Sequence, residues 1–382
     1  MPEAVVTPSA RDHGARRDLG SPALSHLAQP VMARVNQLSE DFWLDSAAVD
    51  TAAAVPASHL DALARAGLYG IYAPVGEDGL GLDGAATSAV VEELASGCVA
   101  TTFLWVQHLR LLSTMLDPET PLSWRERLKG HVVAGRCKGG VVLTGLMPGP
   151  PRLRAEPAGD GWRLEGEAPW VSGWGLVDKL VVVARAPGSR IVSLLLEAKE
   201  VPGLSATPAR LSALNATSTV SLHFDGLAVP GDRALGERPY KEGEDALAGL
   251  RLNGSFALGL TKRCCLIVGP SALDEELVAR RGQLDAAAPD EMPAARAAAC
   301  ELALRAAHAV VVSRGSVSAL AGDVGERLAR EANVLAVFGS RPAIKSELLE
   351  RFHATPSGPA ATKRVTAPEG GTYGNACTTN ES

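Results

Sequence analysis

A break in patterning divides this chain into three. Up to residue 138, and again beyond Pro230, apolar residues recur at helical spacing; from Gly140 to Val229 they come in short runs parted by Pro and Gly clusters. The runs cover 141–143, 162–165, 180–184, 191–196 and 220–224, separated by stretches such as Pro148-Gly149-Pro150-Pro151 and Ala158-Gly159-Asp160-Gly161. No helix-length segment interrupts them, so the expected middle unit is an antiparallel barrel or sandwich rather than a parallel sheet. The fold class that follows is mainly α with a central β domain. Its parts are a disordered tail (1–37), an N-terminal helical domain (38–138), the β domain (139–235), a C-terminal four-helix bundle (236–354) and a second disordered tail (355–382).

The helical thirds carry their own punctuation. Ser58 stands where a cap would open a helix bearing Leu60, Leu63, Ala64 and Leu68, with Gly67 and Gly70 to stop it. Further helices are predicted over 87–96, 101–116 and 124–133, then over 243–268, 273–284, 293–320, 325–338 and 343–352. In the first of the later set, Gly249, Gly254, Ser255, Ala257 and Gly259 would let a neighbouring helix approach closely. Long helices with short connections are what a bundle requires.

Charge and cysteine usage narrow the function. The 382 residues are 46% hydrophobic and 21% charged with a formal net charge of -6, which argues for a globular chain and against nucleic acid or anionic membrane as partner. Cys98, Cys137, Cys264, Cys265, Cys300 and Cys377 form no CxxC pair and have no His at ligand spacing, so no metal site is expected. The start shows no signal-peptide pattern and no run reaches membrane-spanning length, which makes the cytoplasm the expected location. Residues 79–84 spell GxGxxG, but no strand precedes them and helix follows helix, so they read as a connecting turn. No GxSxG elbow or phosphate-binding P-loop is present. A small-molecule site is the expectation.

The most unusual local stretch is Ala168-Pro169-Trp170-Val171-Ser172-Gly173-Trp174-Gly175. Two of six tryptophans lie four residues apart among glycines in a chain only 4% aromatic. Such a stretch suits neither helix interior nor core strand, and reads either as a strand-end plug or as a platform: a flat indole face on a turn, with Ser172 and backbone amides beside it.

The order of motifs resembles the acyl-CoA dehydrogenase flavoprotein superfamily over about residues 40–352. Ala66-Gly67-Leu68-Tyr69-Gly70 with Gly79-Leu80-Gly81-Leu82-Asp83 is similar to that family's early glycine turn, and Leu143-Thr144 to the opening of its first flavin loop. Trp170-Val171-Ser172 is similar to its W-I-T segment, and Phe224-Asp225-Gly226-Leu227-Ala228-Val229-Pro230 to its following strand. Arg281-Gly282-Gln283-Leu284 looks like the opening of RxQFG, and Arg330-Glu331-Ala332 like its late RDA. The resemblance implies FAD held by Thr144, Trp170, Val171, Ser172 and Arg281, with Arg281 on the pyrophosphate of a neighbouring subunit. It implies an acyl thioester, on CoA or a carrier protein, as substrate, and a homodimer or homotetramer.

The chain departs from the family where chemistry is done. The flavin loop runs Thr144-Gly145-Leu146-Met147-Pro148-Gly149-Pro150-Pro151, with a proline where the serine is expected. The family's base glutamate falls at Gly339, and the alternative position, before an Arg in the first bundle helix, is Leu250 before Arg251. Arg251 and His108 remain as substrate-facing candidates, His108 having the alternative of a satisfied structural histidine. Glu242, Glu244 and Asp245 read as helix-start charges, and Glu92 and Glu93 as helix-surface or interhelical polar groups. No catalytic residue is assigned. The expectation is α,β-dehydrogenation with hydride transfer to flavin. The alternatives are a flavin monooxygenase or reductase on the same scaffold, and a catalytically degenerate subunit paired with a paralogue.

Overall fold

The computed structural model describes Leu19 and residues 28–242, 249–339 and 341–354. Five helices open it: α1 (Ala28–Thr51), α2 (Ala57–Arg65), α3 (Gly84–Gly97), α4 (Val99–Leu116) and α5 (Leu122–Val133). α1 begins ten residues inside the segment expected to be a tail, because Val31, Val35, Phe42 and Val49 give it one face to bury. α2 starts one residue before Ser58, after Pro56 and without a side-chain cap, so Ser58 is not its cap. Gly67 supplies the left-handed residue beyond its end, at φ +76°. The GxGxxG letters form a turn whose Asp83 caps α3, accepting from the Ala86 amide at 2.8 Å.

α3 is enclosed along almost its whole length, from Ala86 to Gly97. That requires small residues on whatever covers it. A Cβ on Gly97 would lie 2.2 Å from the Ser39 carbonyl oxygen, and one on Gly259 2.3 Å from that of Glu92, so α1 and the first C-terminal helix both approach backbone to side.

The middle unit is one eight-stranded sheet: β1 (Gly139–Val142), β2 (Leu153–Ala158), β3 (Gly161–Val171), β4 (Lys179–Ala186), β5 (Arg190–Glu197), β6 (Leu204–Pro208), β7 (Val220–Val229) and β8 (Ala234–Pro239). The order is β6-β7-β3-β2-β4-β5-β8, with β1 also on β4. It is mixed, which corrects the antiparallel expectation: β1 runs parallel to β4 over four residue pairs, and β2 meets β4 in parallel at Arg154 and Arg185. Here the parallel partners are reached through loops, hairpins and intervening strands. β2, β6 and β8 escape pattern reading because they are short, alternate with charged or exposed residues and end at or near proline. β8 carries the sheet past the expected boundary at residue 235.

The remaining helices are α6 (Leu250–Val268), α7 (Ala272–Ala286), α8 (Met292–Arg314), α9 (Val324–Val337) and α10 (Pro342–His353). Ser271 and Asp274 form a reciprocal capping box at the start of α7. α8 packs against each of the other four, and a 3₁₀ turn, Gly315–Ala319, replaces the end of the long helix expected there. Among the described residues no helix is long and apolar enough to cross a membrane, and no group of three or more His, Cys, Asp or Glu is placed to hold a metal ion. Glu244, Asp245, Ser340, Cys377 and the tail beyond residue 354 lie outside the described residues, as does most of the N-terminal tail.

Candidate active site

The tryptophan stretch closes β3. Between Ala168 and Val171 the pairing with β7 shifts register, and Trp170 takes φ +64°, a left-handed value that a bulky residue adopts only under constraint. Pro169 before it and the resumed pairing of Val171 with Val220 after it hold the bulge. The result is an indole 72% exposed between buried neighbours Ala168 and Val171. Trp170 is therefore the end of a strand, and the turn proper follows at Gly173 and Gly175. Val171 points into the core, which leaves only its backbone for a ligand. Ser172 is buried, and its hydroxyl joins Thr219 at 2.7 Å, which joins Thr217 at 2.8 Å, which donates to the Leu214 carbonyl.

The flavin-loop candidate follows β1. Thr144, buried, opens a 3₁₀ turn through Leu146. A Cβ on Gly145 would lie 2.5 Å from the Val183 carbonyl oxygen, so the loop lies directly on β4. Arg185 fixes it by donating to the carbonyls of Gly145 (3.1 Å) and Met147 (3.0 Å), while its guanidinium stacks 3.3 Å from the Tyr240 ring centroid. Arg341, just before α10, reaches the Met147 sulfur at 3.0 Å and joins the loop to the C-terminal helices.

α4 connects the platform to the expected base position. Its Leu104 packs beneath the turn, 3.0 Å from where a Cβ on Gly173 would stand. The preceding residue, Phe103, meets Phe338 edge-on at 4.5 Å and Phe256 at 5.9 Å, with Phe256 and Phe338 6.0 Å apart. Three of the chain's six phenylalanines thus converge from α4, α6 and the end of α9, immediately before Gly339. Gly339 has φ +58°, and a Cβ there would stand 3.1 Å from the Asn253 Nδ2 atom. Leu250, the alternative base position, is buried. Glu242 is exposed.

Other expected site residues are placed elsewhere. Arg281 is buried and clamps Glu92 across helices, with Nη2 2.6 Å and Nε 3.1 Å from its carboxylate, while Nη1 donates to the Leu19 carbonyl. The guanidinium is thus held by groups of its own chain. Glu93 is likewise paired, with Lys262, so both acids are interhelical. His108 is buried, accepts from the Gly139 amide at 3.1 Å and stands edge-on to Tyr69 at 4.7 Å. Burial pushes its imidazole down to about 3, so it stays neutral and clasps α4 to β1. Arg251 pairs with Asp285 at 2.6 Å and donates to Ser255 at 2.8 Å.

Sequence reasoning missed Asn253, the phenylalanine trio, Arg185 with Tyr240, and Glu331. Only the rarity of phenylalanine offered a signal for any of them. Glu331 is fully enclosed on α9, and burial, aided by Asp50 and opposed by Arg327 and Arg330, raises its carboxyl to about 7.

Residues 31–118 match the family model described as "Acyl-CoA dehydrogenase, N-terminal domain". Among curated proteins, the chain is 28% identical over 204 residues to the probable acyl-CoA dehydrogenase FadE25 of Mycobacterium tuberculosis, covering 50% of this chain and 51% of that one. The matched sequence thus spans about half the length of its curated relatives. Among solved structures, a nitrososynthase from Micromonospora carbonacea var. africana superposes with TM-score 0.71 at 20% identity, covering 88% of this chain and 98% of that one. A glutaryl-CoA dehydrogenase from Mycobacterium smegmatis in complex with FADH2 gives 0.70 at 18%, covering 89% and 97%.

Proposed function

We propose that this chain, whose residues 31–118 match the acyl-CoA dehydrogenase N-terminal domain model, is a FAD-dependent oxidoreductase acting on an acyl thioester. The observation that carries this is Trp170: a 72% exposed indole held at positive φ by a strand bulge. Exposing an indole in a constrained backbone costs stability, and a planar partner on its face is what would offset it.

The residues fit the ring end of a flavin. Trp170 supplies the apolar face, Thr144 and the Ser172-Thr219 hydroxyls supply neutral hydrogen bonds, and Arg185 holds the loop rigid from behind. At the pyrophosphate end Arg281 is spent on Glu92, so phosphate binding falls to other groups. Bound FAD would supply hydride acceptance. The chain's part is to seat the ring on Trp170, keep water from it with Phe103, Phe256 and Phe338, and hold the substrate beside Gly339. Homodimers or homotetramers in the cytoplasm are part of the same reading.

A second reading is favoured by Gly339 and Leu250, which leave no carboxylate at either base position. A flavin monooxygenase or reductase needs no α-proton base, and a nitrososynthase shares the fold. The test is the absorbance spectrum of the purified protein, followed by anaerobic addition of a panel of acyl-CoAs. Flavin bands that bleach with one thioester support dehydrogenation. Bands that never bleach, with oxygen consumed by the reduced protein, select the second reading. Folded protein that takes up no flavin overturns both.

A further inference from the structure

Building on the acyl-thioester reading, we propose that Asn253 is the specificity-determining residue of this site, and that it selects short acyl groups bearing a polar substituent near the thioester. Asn253 lies in the first turn of α6, half-buried, with its Nδ2 3.1 Å from where a side chain at residue 339 would begin. Among the described residues no hydrogen bond reaches its side-chain amide. A carboxamide has two donors and an acceptor oxygen. Covered by plain hydrocarbon, it would be stripped of water with nothing in return; covered by a hydroxyacyl group, it would be satisfied. A site built to hydrogen-bond a hydroxyl rejects the analogue that lacks it far more strongly than a hydrophobic site rejects an extra hydroxyl.

Chain length is limited by the other wall. The rings of Phe103, Phe256 and Phe338 touch one another at 4.5 to 6.0 Å between centroids, spacing at which aromatic rings pack without a gap for an alkyl chain. The neutral amide stands beside the position where the family's base side chain would begin, and the three rings close the space behind it.

Calorimetric titration of the purified protein with butyryl-CoA, 3-hydroxybutyryl-CoA and octanoyl-CoA tests this without relying on turnover. 3-Hydroxybutyryl-CoA is expected to bind at least about tenfold more tightly than butyryl-CoA, and octanoyl-CoA more weakly than either. Asn253→Leu, with Asn253→Ala as a second variant, is expected to erase the hydroxyl preference, and Phe103→Ala to admit the octanoyl chain. Equal affinities in the unmodified protein, or a preference that survives both Asn253 variants, overturn the proposal while leaving a flavin-bearing oxidoreductase intact. A hydroxyl preference in protein lacking flavin upholds it and overturns the cofactor instead. Failure of every thioester to bind overturns both the proposal and the substrate class.

Discussion

At Trp170 the side chain and backbone have separable roles, and this makes it the sharpest single-residue test of the ring site. Its exposure means that Trp170→Ala removes little packing, so stability should change by no more than about 0.5 kcal/mol, while flavin affinity falls at least about tenfold, read by fluorescence titration with FAD. Glu331 gives a second residue-scale expectation. Its carboxyl is raised to about 7 from the ordinary 4.5, so the folded state holds a proton that the unfolded state has released between those values. The associated stability is fully present below pH 4.5 and is lost as pH rises through 7. Glu331→Gln should therefore be the more stable protein at pH 8, by roughly 3 kcal/mol, and indistinguishable from the parent near pH 4.5 in urea titrations at the two pH values. The platform tryptophan was legible because tryptophan among glycines is rare. Its left-handed backbone was not, since a bulge is set by the partner strand.

Pairing between elements is where sequence reading lost most. Arg281 and Glu92 lie 189 residues apart, and nothing local announces that a motif arginine will be consumed by an acid on an enclosed helix. The pair has a distinct signature. Arg281→Met strands a buried carboxylate, so it should destabilise the fold by about 3 kcal/mol, measured by urea unfolding, without changing FAD affinity in the folded protein. Were Arg281 a phosphate ligand, the order of effects would reverse. The strong helices announced themselves through apolar spacing and glycine stops, whereas β2, β6 and β8 were hidden by brevity, charge and proline.

Across the whole molecule, the three-part order was legible because helical and strand periodicities do not mix, and the parallel pairings were hidden because they depend on how loops route the chain. One ionic network also links the parts across the hydrophobic core they share. Arg330 on α9 pairs with Asp50 at the end of α1 at 2.6 Å, with Glu326, and with the Ser212 carbonyl of the β domain at 3.1 Å. Asp50 is nearly buried, so Arg330→Ala should cost about 2 kcal/mol, seen as an earlier urea midpoint. Loosening at both interfaces should appear as faster hydrogen exchange in α1 and around residue 212.

The left-handed turn at Gly339 also bears on what a side chain there would meet. A carboxylate cannot be set at residue 339 by a side-chain change alone: the backbone there has φ +58°, and the Asn253 amide stands 3.1 Å from where a Cβ would begin. Gly339→Glu alone meets about 1–2 kcal/mol of backbone strain, and the Asn253 amide must give way by a few tenths of an ångström. It should yield a less stable protein whose flavin bleaching by acyl-CoA does not exceed the parent's, whereas the double change with Asn253→Gly is the shortest route on which a carboxylate at residue 339 should raise it.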